Sequence, residues 1–248
     1  MRARAVVRAE ADAEGHTRLT ALHSEPPLVL RPTRDAVYVA AGAAGPIGGD
    51  DLELSVTVGE GTLLHVRTVA ATVALPGAGE SSMTWRLHVA AGARLVVAPE
   101  PTVVATGARH CTRIEADVDA TGFLTVREEV QLGRYGEPGG VHRGRIRVDV
   151  AGTPLLRHEL TLDGTDPVTV GRASAIGARA YGSLLTIDPT WTDERRRKAA
   201  LAEPGLAVLP LAGPGVLVTA LDADARLLRD RLDRFACRDP GRAQPPAP

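Results

Sequence analysis

Short runs of alternating apolar and polar residues, each closed by a glycine, dominate residues 45–134. Val56-Thr57-Val58 leads to Gly61 and Leu63-Leu64-His65-Val66, and Leu87-His88-Val89 leads to Gly92 and Leu95-Val96-Val97. Ile114 to Val118 alternates in the same way before Gly122 and Leu124-Thr125-Val126. A fourth copy follows, Ile146-Arg147-Val148-Asp149-Val150, then Gly152 and Leu155. Period-two alternation marks a strand with one covered face, and glycine supplies the positive φ that a tight turn asks for. The four turn glycines stand 31, 30 and 30 residues apart. A constant period near thirty fits stacked coils, each too small to bury its apolar face alone. A Greek-key sandwich also spaces its strands regularly, but the near-constant period favours the stack. The pattern predicts a mainly β protein, a two-layer β-solenoid-like or sandwich body. Its two layers face each other over residues 50–165, with Gly61, Gly92, Gly122 and Gly152 at equivalent turns.

Residues 3–22 alternate around Gly15, an opening hairpin, and Pro26 to Pro32 is held extended by its prolines. Val37-Tyr38-Val39-Ala40 reads as a strand, and residues 75–82 and 135–140 as loops. After Gly164 the alternation weakens and helical signals replace it. Asp188-Pro189 reads as the cap and first-turn proline of a helix charged on most faces, which Pro204-Gly205 ends. Asp222 reads as the cap of a second helix, whose Ala225, Leu228, Leu232, Phe235 and Ala236 form one apolar stripe, for packing on the β body or, as the alternative, for binding a partner. The expectation is one domain over residues 1–238, with a β body at about 3–187 and a helical part at about 188–238. The proline- and alanine-rich residues 239–248 are expected to be a disordered tail.

Apolar residues make up 44 % of the 248, and aromatic ones only 3 %, so the core must be built from Val, Leu and Ala. A net charge of -1 gives no electrostatic case for a nucleic-acid or membrane surface. The two cysteines, Cys111 and Cys237, form no spaced motif, and a reducing cytosol is the expected compartment. The first residues lack the apolar core of a secretory signal, and no apolar stretch approaches the roughly 18 residues that cross a bilayer.

Most catalytic signatures are absent from the sequence. Lys198 follows Arg197 rather than glycine, so it belongs to no Walker A loop, and His158-Glu159 has no second histidine one helical turn on. Neither a Gly-x-Ser-x-Gly elbow nor a Cys-x-x-Cys pair occurs. Four features remain. Asp50-Asp51 follows a glycine pair, where a polar turn is the plain alternative to a site. Glu100 is held between Pro99 and Pro101. Glu128-Glu129 must send one carboxylate to each face of a strand, and a buried one calls for a partner such as Arg109, Arg113 or Arg127. His110-Cys111 offers an imidazole and a thiolate on opposite faces, which argues against a shared metal.

These residues carry a resemblance. Gly48-Gly49-Asp50 before Leu52-Glu53-Leu54, then Ala70-Ala71-Thr72, Pro99-Glu100-Pro101-Thr102, Gly107-Ala108-Arg109, and Glu128 through Leu132-Gly133-Arg134 with Gly144 resemble the UreD (UreH) family of urease accessory proteins. The match in order and spacing covers roughly residues 22–165. The chain departs from the family pattern at Val73-Ala74-Leu75, where a lysine and an aromatic are usual, and at Arg127, where a tryptophan is usual. The resemblance implies a β-rich scaffold without enzymatic activity and without a stably bound cofactor. Such a scaffold binds apo-urease on one side and UreF on the other, and UreF recruits the GTPase UreG, which carries nickel. It also implies a water-filled passage for Ni²⁺ toward the urease active site. Imidazole and thiolate sites hold Ni²⁺ tightly, whereas carboxylates and water exchange it more freely. On that argument Asp50, Glu100 and Glu128 are the candidates for a nickel path rather than Cys111, with His110 at an entrance. The competing readings are a module that binds a carbohydrate or other small ligand, and a solenoid hydrolase using Glu100 and Glu128. The first lacks an aromatic platform, and the second needs its carboxyls about 5–9 Å apart.

Overall fold

The computed structural model describes residues 1–171 and 177–236. Three coils carry the body. The first runs through β5 (Asp51–Val58), β6 (Leu63–Thr68) and β7 (Thr72–Ala74), and the second through β8 (Ser81–Val89), β9 (Arg94–Ala98) and β10 (Thr102–Val104). The third is β11 (Arg109–Val118) and the long β12 (Phe123–Leu132). Corresponding strands pair in parallel: β5 with β8 and β8 with β11, β6 with β9 and β9 with β12, β7 with β10 and β10 with the end of β12. Each coil therefore has two long faces and a short third one, the stacked architecture that the thirty-residue period announces.

Before the coils come β1 (Arg2–Ala11), β2 (Thr17–His23), β3 (Leu28–Pro32) and β4 (Val37–Ala41). β1 pairs antiparallel with β2 and parallel with β5, and β4 joins β3 to β6. After them, β13 (Val141–Val150) stacks on β11, and β14 (Thr153–Asp163) returns antiparallel beside it. The seven-stranded sheet thus has the order β14-β13-β11-β8-β5-β1-β2. Leu54, Val56, Leu95, Leu124, Ile146 and Leu185 belong to the buried cluster that fills the space between the sheets.

The turn glycines are not all equivalent. Pairing aligns Val58 with Val89 and Val118, and Leu63 with Arg94 and Phe123. Gly61 and Gly92 then share one position, each with φ of 64°, but the third coil places Thr121 there and Gly122 one residue later. In that coil Asp119 accepts hydrogen bonds from the amide and hydroxyl of Thr121, and the same hydroxyl accepts from the Gly92 amide at 3.0 Å. Side-chain hydrogen bonding replaces the positive φ. Gly152 is different again: with Ala151 at φ 49° and itself at 74°, it makes a two-residue hairpin from β13 to β14. The fourth copy therefore closes the seven-stranded sheet instead of crossing to the other one.

The C-terminal third holds more strand than its sequence suggests. After the single turn α1 (Pro167–Val170) come β15 (Ala180–Ile187), α2 (Asp193–Ala199), β16 (Leu201–Glu203), β17 (Leu206–Pro210), β18 (Gly215–Asp222) and α3 (Ala225–Ala236). β15 pairs with β12, and β18, β17 and β16 follow, completing an eleven-stranded sheet. All but one residue of β15 are buried, since α3 covers its outer face. A strand buried on both sides has no period of two, which is why the alternation fades there. The caps differ as well. Thr192, not Asp188, caps α2, and Asp224, not Asp222, accepts the first amides of α3, while Pro204-Gly205 turns β16 into β17. Leu228 and Leu232 are fully buried against Leu184, Val216 and Val218, at about 1.5–3 kcal/mol of burial each. The stripe is therefore packing, as read. Ala236's side chain, Cys237 and the expected tail at 239–248 lie outside the described residues.

Two substitutions test the stack by urea unfolding. Leu54→Ala removes a side chain with 0 % exposure and is expected to cost roughly 2–5 kcal/mol. Gly92→Ala keeps every contact and strains only φ, and is expected to cost about 1–2 kcal/mol. Equal stability of Gly92→Ala and wild type would contradict the turn geometry.

Candidate functional site

Because β8, β11 and β13 pair without offset, their inward residues stand in columns. His110 lies opposite Ser81 on one side and His142 on the other, and Thr112 lies between Met83 and Gly144. From the facing sheet, Glu128 on β12, paired with Ser183 on β15, points into the same space. A polar band thus crosses an otherwise apolar interior. On one side of it is the main core, and on the other a cluster that includes Val104, Val130, Leu132 and Tyr181.

The band is hydrogen-bonded almost throughout. Ser81 Oγ lies 2.9 Å from His110 Nδ1, and Thr112 Oγ1 lies 3.1 Å from His142 Nε2. The two imidazole centroids are 6.1 Å apart. Glu128 Oε1 has no hydrogen-bond partner and comes within 3.8 Å of His142 Nε2. Gly144 is what allows this approach, since a Cβ there would lie 3.2 Å from Glu128 Oε2. Burial shifts all three ionisable groups toward their neutral forms. Glu128 rises to about 7, with a Thr112 hydrogen bond holding it back. His110 falls to about 4, through burial and then the Arg113 charge, and His142 to about 3, through burial and then His110. At neutral pH both imidazoles are therefore uncharged, and the 3.8 Å approach is not an ion pair.

His110, Thr112 and Glu128 line a cavity of about 360 Å³. It extends past Trp85 and Met83 to residues 41–46 and 68–73 at the surface. A gap in the eleven-stranded sheet also borders it. β12 pairs with β9 through Val126 and with β10 from Val130, leaving residues 127–129 unpaired on that side. There the second coil turns its corner through Pro99-Glu100-Pro101, and prolines have no amide to offer a ladder. Over the gap sits an ion network. Arg229 of α3 bonds Glu100 at 2.8 Å and Glu129 at 2.8 Å, and Arg127 bonds Glu129 at 3.1 Å and also Asp233.

The candidates read from the sequence separate clearly. Glu128 lies inside the cavity with no arginine on it. Glu129 faces the other way and takes Arg127, one of the three partners expected for a buried carboxylate. His110 lines the cavity but is 1 % exposed, so it stands deep inside rather than at an entrance. Glu100 borders the cavity beneath Arg229. Asp50 does not line it: its carboxylate accepts from the Met1 ammonium at 2.6 Å and the Ile47 amide at 2.9 Å. Cys111 is buried on the opposite face of β11 from His110, and burial raises its thiol pKa. Sequence reading missed His142, Ser81 and Arg229. Aligning the coils finds the first two, because they occupy the His110 slot in neighbouring turns. Nothing local marks Arg229. Among the described residues, no group of three His, Cys, Asp or Glu side chains is placed to hold a metal ion together.

Glu128→Gln gives the band a direct test. A carboxyl whose pKa is higher folded than unfolded stabilises the fold fully below the ordinary value of 4.5 and loses that contribution as pH rises through about 7. The variant is therefore expected to match wild type near pH 4 and to be more stable at pH 8, by on the order of 3 kcal/mol. His110 and His142 slope the other way, but equally in both proteins. Equal melting temperatures at pH 8 would show that Glu128 ionises without penalty.

Residues 1–248 match the family described as UreD urease accessory protein. A urease accessory protein UreD of Frankia alni is 44 % identical, over 95 % of this chain and 92 % of its own. Urease accessory protein UreD 3 of Streptomyces griseus is 43 % identical, over 94 % of this chain and 95 % of its own. The UreD of Streptomyces coelicolor is 37 % identical, over 94 % of each chain. With such matches running nearly end to end, the chain belongs to the UreD family of urease accessory proteins.

Proposed function

We propose that the chain serves urease maturation as a non-catalytic scaffold, binding apo-urease and UreF, through which UreG is recruited, and passing Ni²⁺ through its interior toward the urease active site. The observation that carries the reading is the buried carboxylate of Glu128, bonded by no arginine, in a cavity that the neutral His110 also lines, with the neutral His142 3.8 Å from its Oε1. Ni²⁺ is the cargo. A preset cage of imidazoles would retain it. Here each imidazole is engaged by a hydroxyl, and the ring centroids stand 6.1 Å apart, so a cation would exchange donors one at a time.

Glu128 supplies the charge. Protonated, it lets the empty interior stay neutral; releasing its proton to water as a cation arrives, it stabilises that cation where water is scarce. Glu100 stands at the gap with Arg229 across it, and Asp50 fits a structural role. The Ser81–His110 pair does not argue for hydrolysis, because an imidazole with a pKa of about 4 is a poor base at neutral pH.

The test is maturation of apo-urease with Glu128→Gln, read as complex formation by co-purification and as nickel per urease by metal analysis. The complex is expected to stay intact while nickel loading falls several-fold. Protons compete with the cation at Glu128, so the wild-type advantage should grow from pH 6 to pH 8 and vanish well below about 7. Intact complexes with full loading at every pH would remove Glu128 from the path.

A further inference from the structure

The two sheets treat their outward charges differently. On the seven-stranded sheet many outward arginines are neutralised by acids across the strands, although Arg8, Arg18, Arg109 and Arg113 make no ion pair among the described residues. Arg4 meets Glu53 at 3.6 Å, Glu53 meets Arg86 at 3.0 Å, and Arg86 meets Glu115 at 2.6 Å. Arg145 pairs with Glu159, and Arg147 and Arg157 share Asp149. On the eleven-stranded sheet, Leu30, Val66, Leu95 and Val97 point inward, so alternation turns Arg31, Arg67 and Arg94 outward. The outward positions of β3, β4, β6 and β9 carry no carboxylate, and none of these three arginines makes an ion pair among the described residues. Arg94 lies instead over the Phe123 ring, 3.7 Å from its centroid.

Arg67 and Arg94 also line a slot of about 130 Å³ on this face. Val96, Phe123, Leu184 and Val216 line it, with Trp191 from before α2 and Phe235 from the end of α3. One acid, Asp188, borders the slot; its Oδ1 accepts from the amide and hydroxyl of Thr190, and it makes no ion pair with Arg67 or Arg94. Arg127 also lines the slot but is neutralised by Glu129 and Asp233, which leaves Arg67 and Arg94 as its two cations without an ion pair among the described residues; an apolar slot flanked by them matches a ligand with the reverse arrangement. The chain's own last residues do not fit it: 238–248 contain no large apolar side chain and add Arg238 and Arg242. The net charge of -1 disfavours a nucleic acid.

We propose that the outer face of the eleven-stranded sheet docks an acidic amphipathic helix of a partner protein. Apolar side chains at helical spacing enter the slot, and carboxylates on the flank meet Arg67 and Arg94. The proposal rests on the scaffold reading above and adds to it a surface and a partner chemistry.

Purified UreF and purified apo-urease are the probes, each measured separately against the full chain by equilibrium binding at low and high salt. Arg67→Glu with Arg94→Glu is expected to weaken one of the two by at least about tenfold, with the wild-type affinity for that partner falling as salt rises. Arg8→Glu with Arg18→Glu, on the other sheet, should change it by no more than about twofold. If the reversal variant fails to fold by circular dichroism, Arg67→Gln with Arg94→Gln takes its place, with a smaller loss and a flatter salt dependence expected. Unchanged affinity for both probes, with wild type binding, overturns the docking surface and leaves the scaffold reading standing. Wild type binding neither probe overturns both. A dimer of this chain that the reversal dissociates, with partner binding intact, makes a second copy the occupant and overturns the proposal.

Discussion

In-register parallel pairing leaves no offset between successive coils, so each inward residue stands directly over its counterpart in the next turn. That constraint governs the whole interior. It lets Leu54, Trp85, Ile114 and Ile146 build one continuous apolar layer from separate coils. It also stacks Ser81, His110 and His142 into one polar column, while Thr112 stands between Met83 and Gly144. In such a stack a buried histidine finds polar partners at its own depth only where the neighbouring coils supply them, as Ser81 does for His110.

Burying such a column costs several kcal/mol unless the groups are neutral and hydrogen-bonded. The chain meets both conditions for the imidazoles, which take hydroxyl partners and lose their charge. It meets neither fully for Glu128, whose Oε1 is left without a partner. The next residue of the same strand, Glu129, shows the ordinary solution, enclosed by Arg127 and Arg229. Two adjacent glutamates with such different treatment make the contrast physical rather than compositional. One is fixed by charge, and the other is left able to gain or lose a proton.

The period of thirty was legible because the coils repeat both their apolar alternation and their turns. Its local failures came from chemistry that spacing does not record. Asp119 and Thr121 replace a glycine conformation with side-chain hydrogen bonds, and Ala151-Gly152 makes a hairpin where a crossing was expected. β15 escaped notice because burial on both faces erases the period. That one of Glu128 and Glu129 must face inward was legible, but not which, nor that Glu128 would lack an arginine, since Arg127 lies next to it in sequence and serves Glu129 instead. Arg229 comes from a helix 100 residues beyond Glu129, and only the fold brings them together.

The central claim is that Glu128 and its imidazole neighbours present a cation with a charge-adjustable interior. Anomalous scattering at the nickel edge, from crystals of the complex with UreF soaked in Ni²⁺ at pH 8 and at pH 5.5, tests it most directly. The account predicts density in the cavity beside Glu128 and His142 at pH 8 that is lost at pH 5.5. Density confined to surface residues at both values, with the cavity empty, would contradict it.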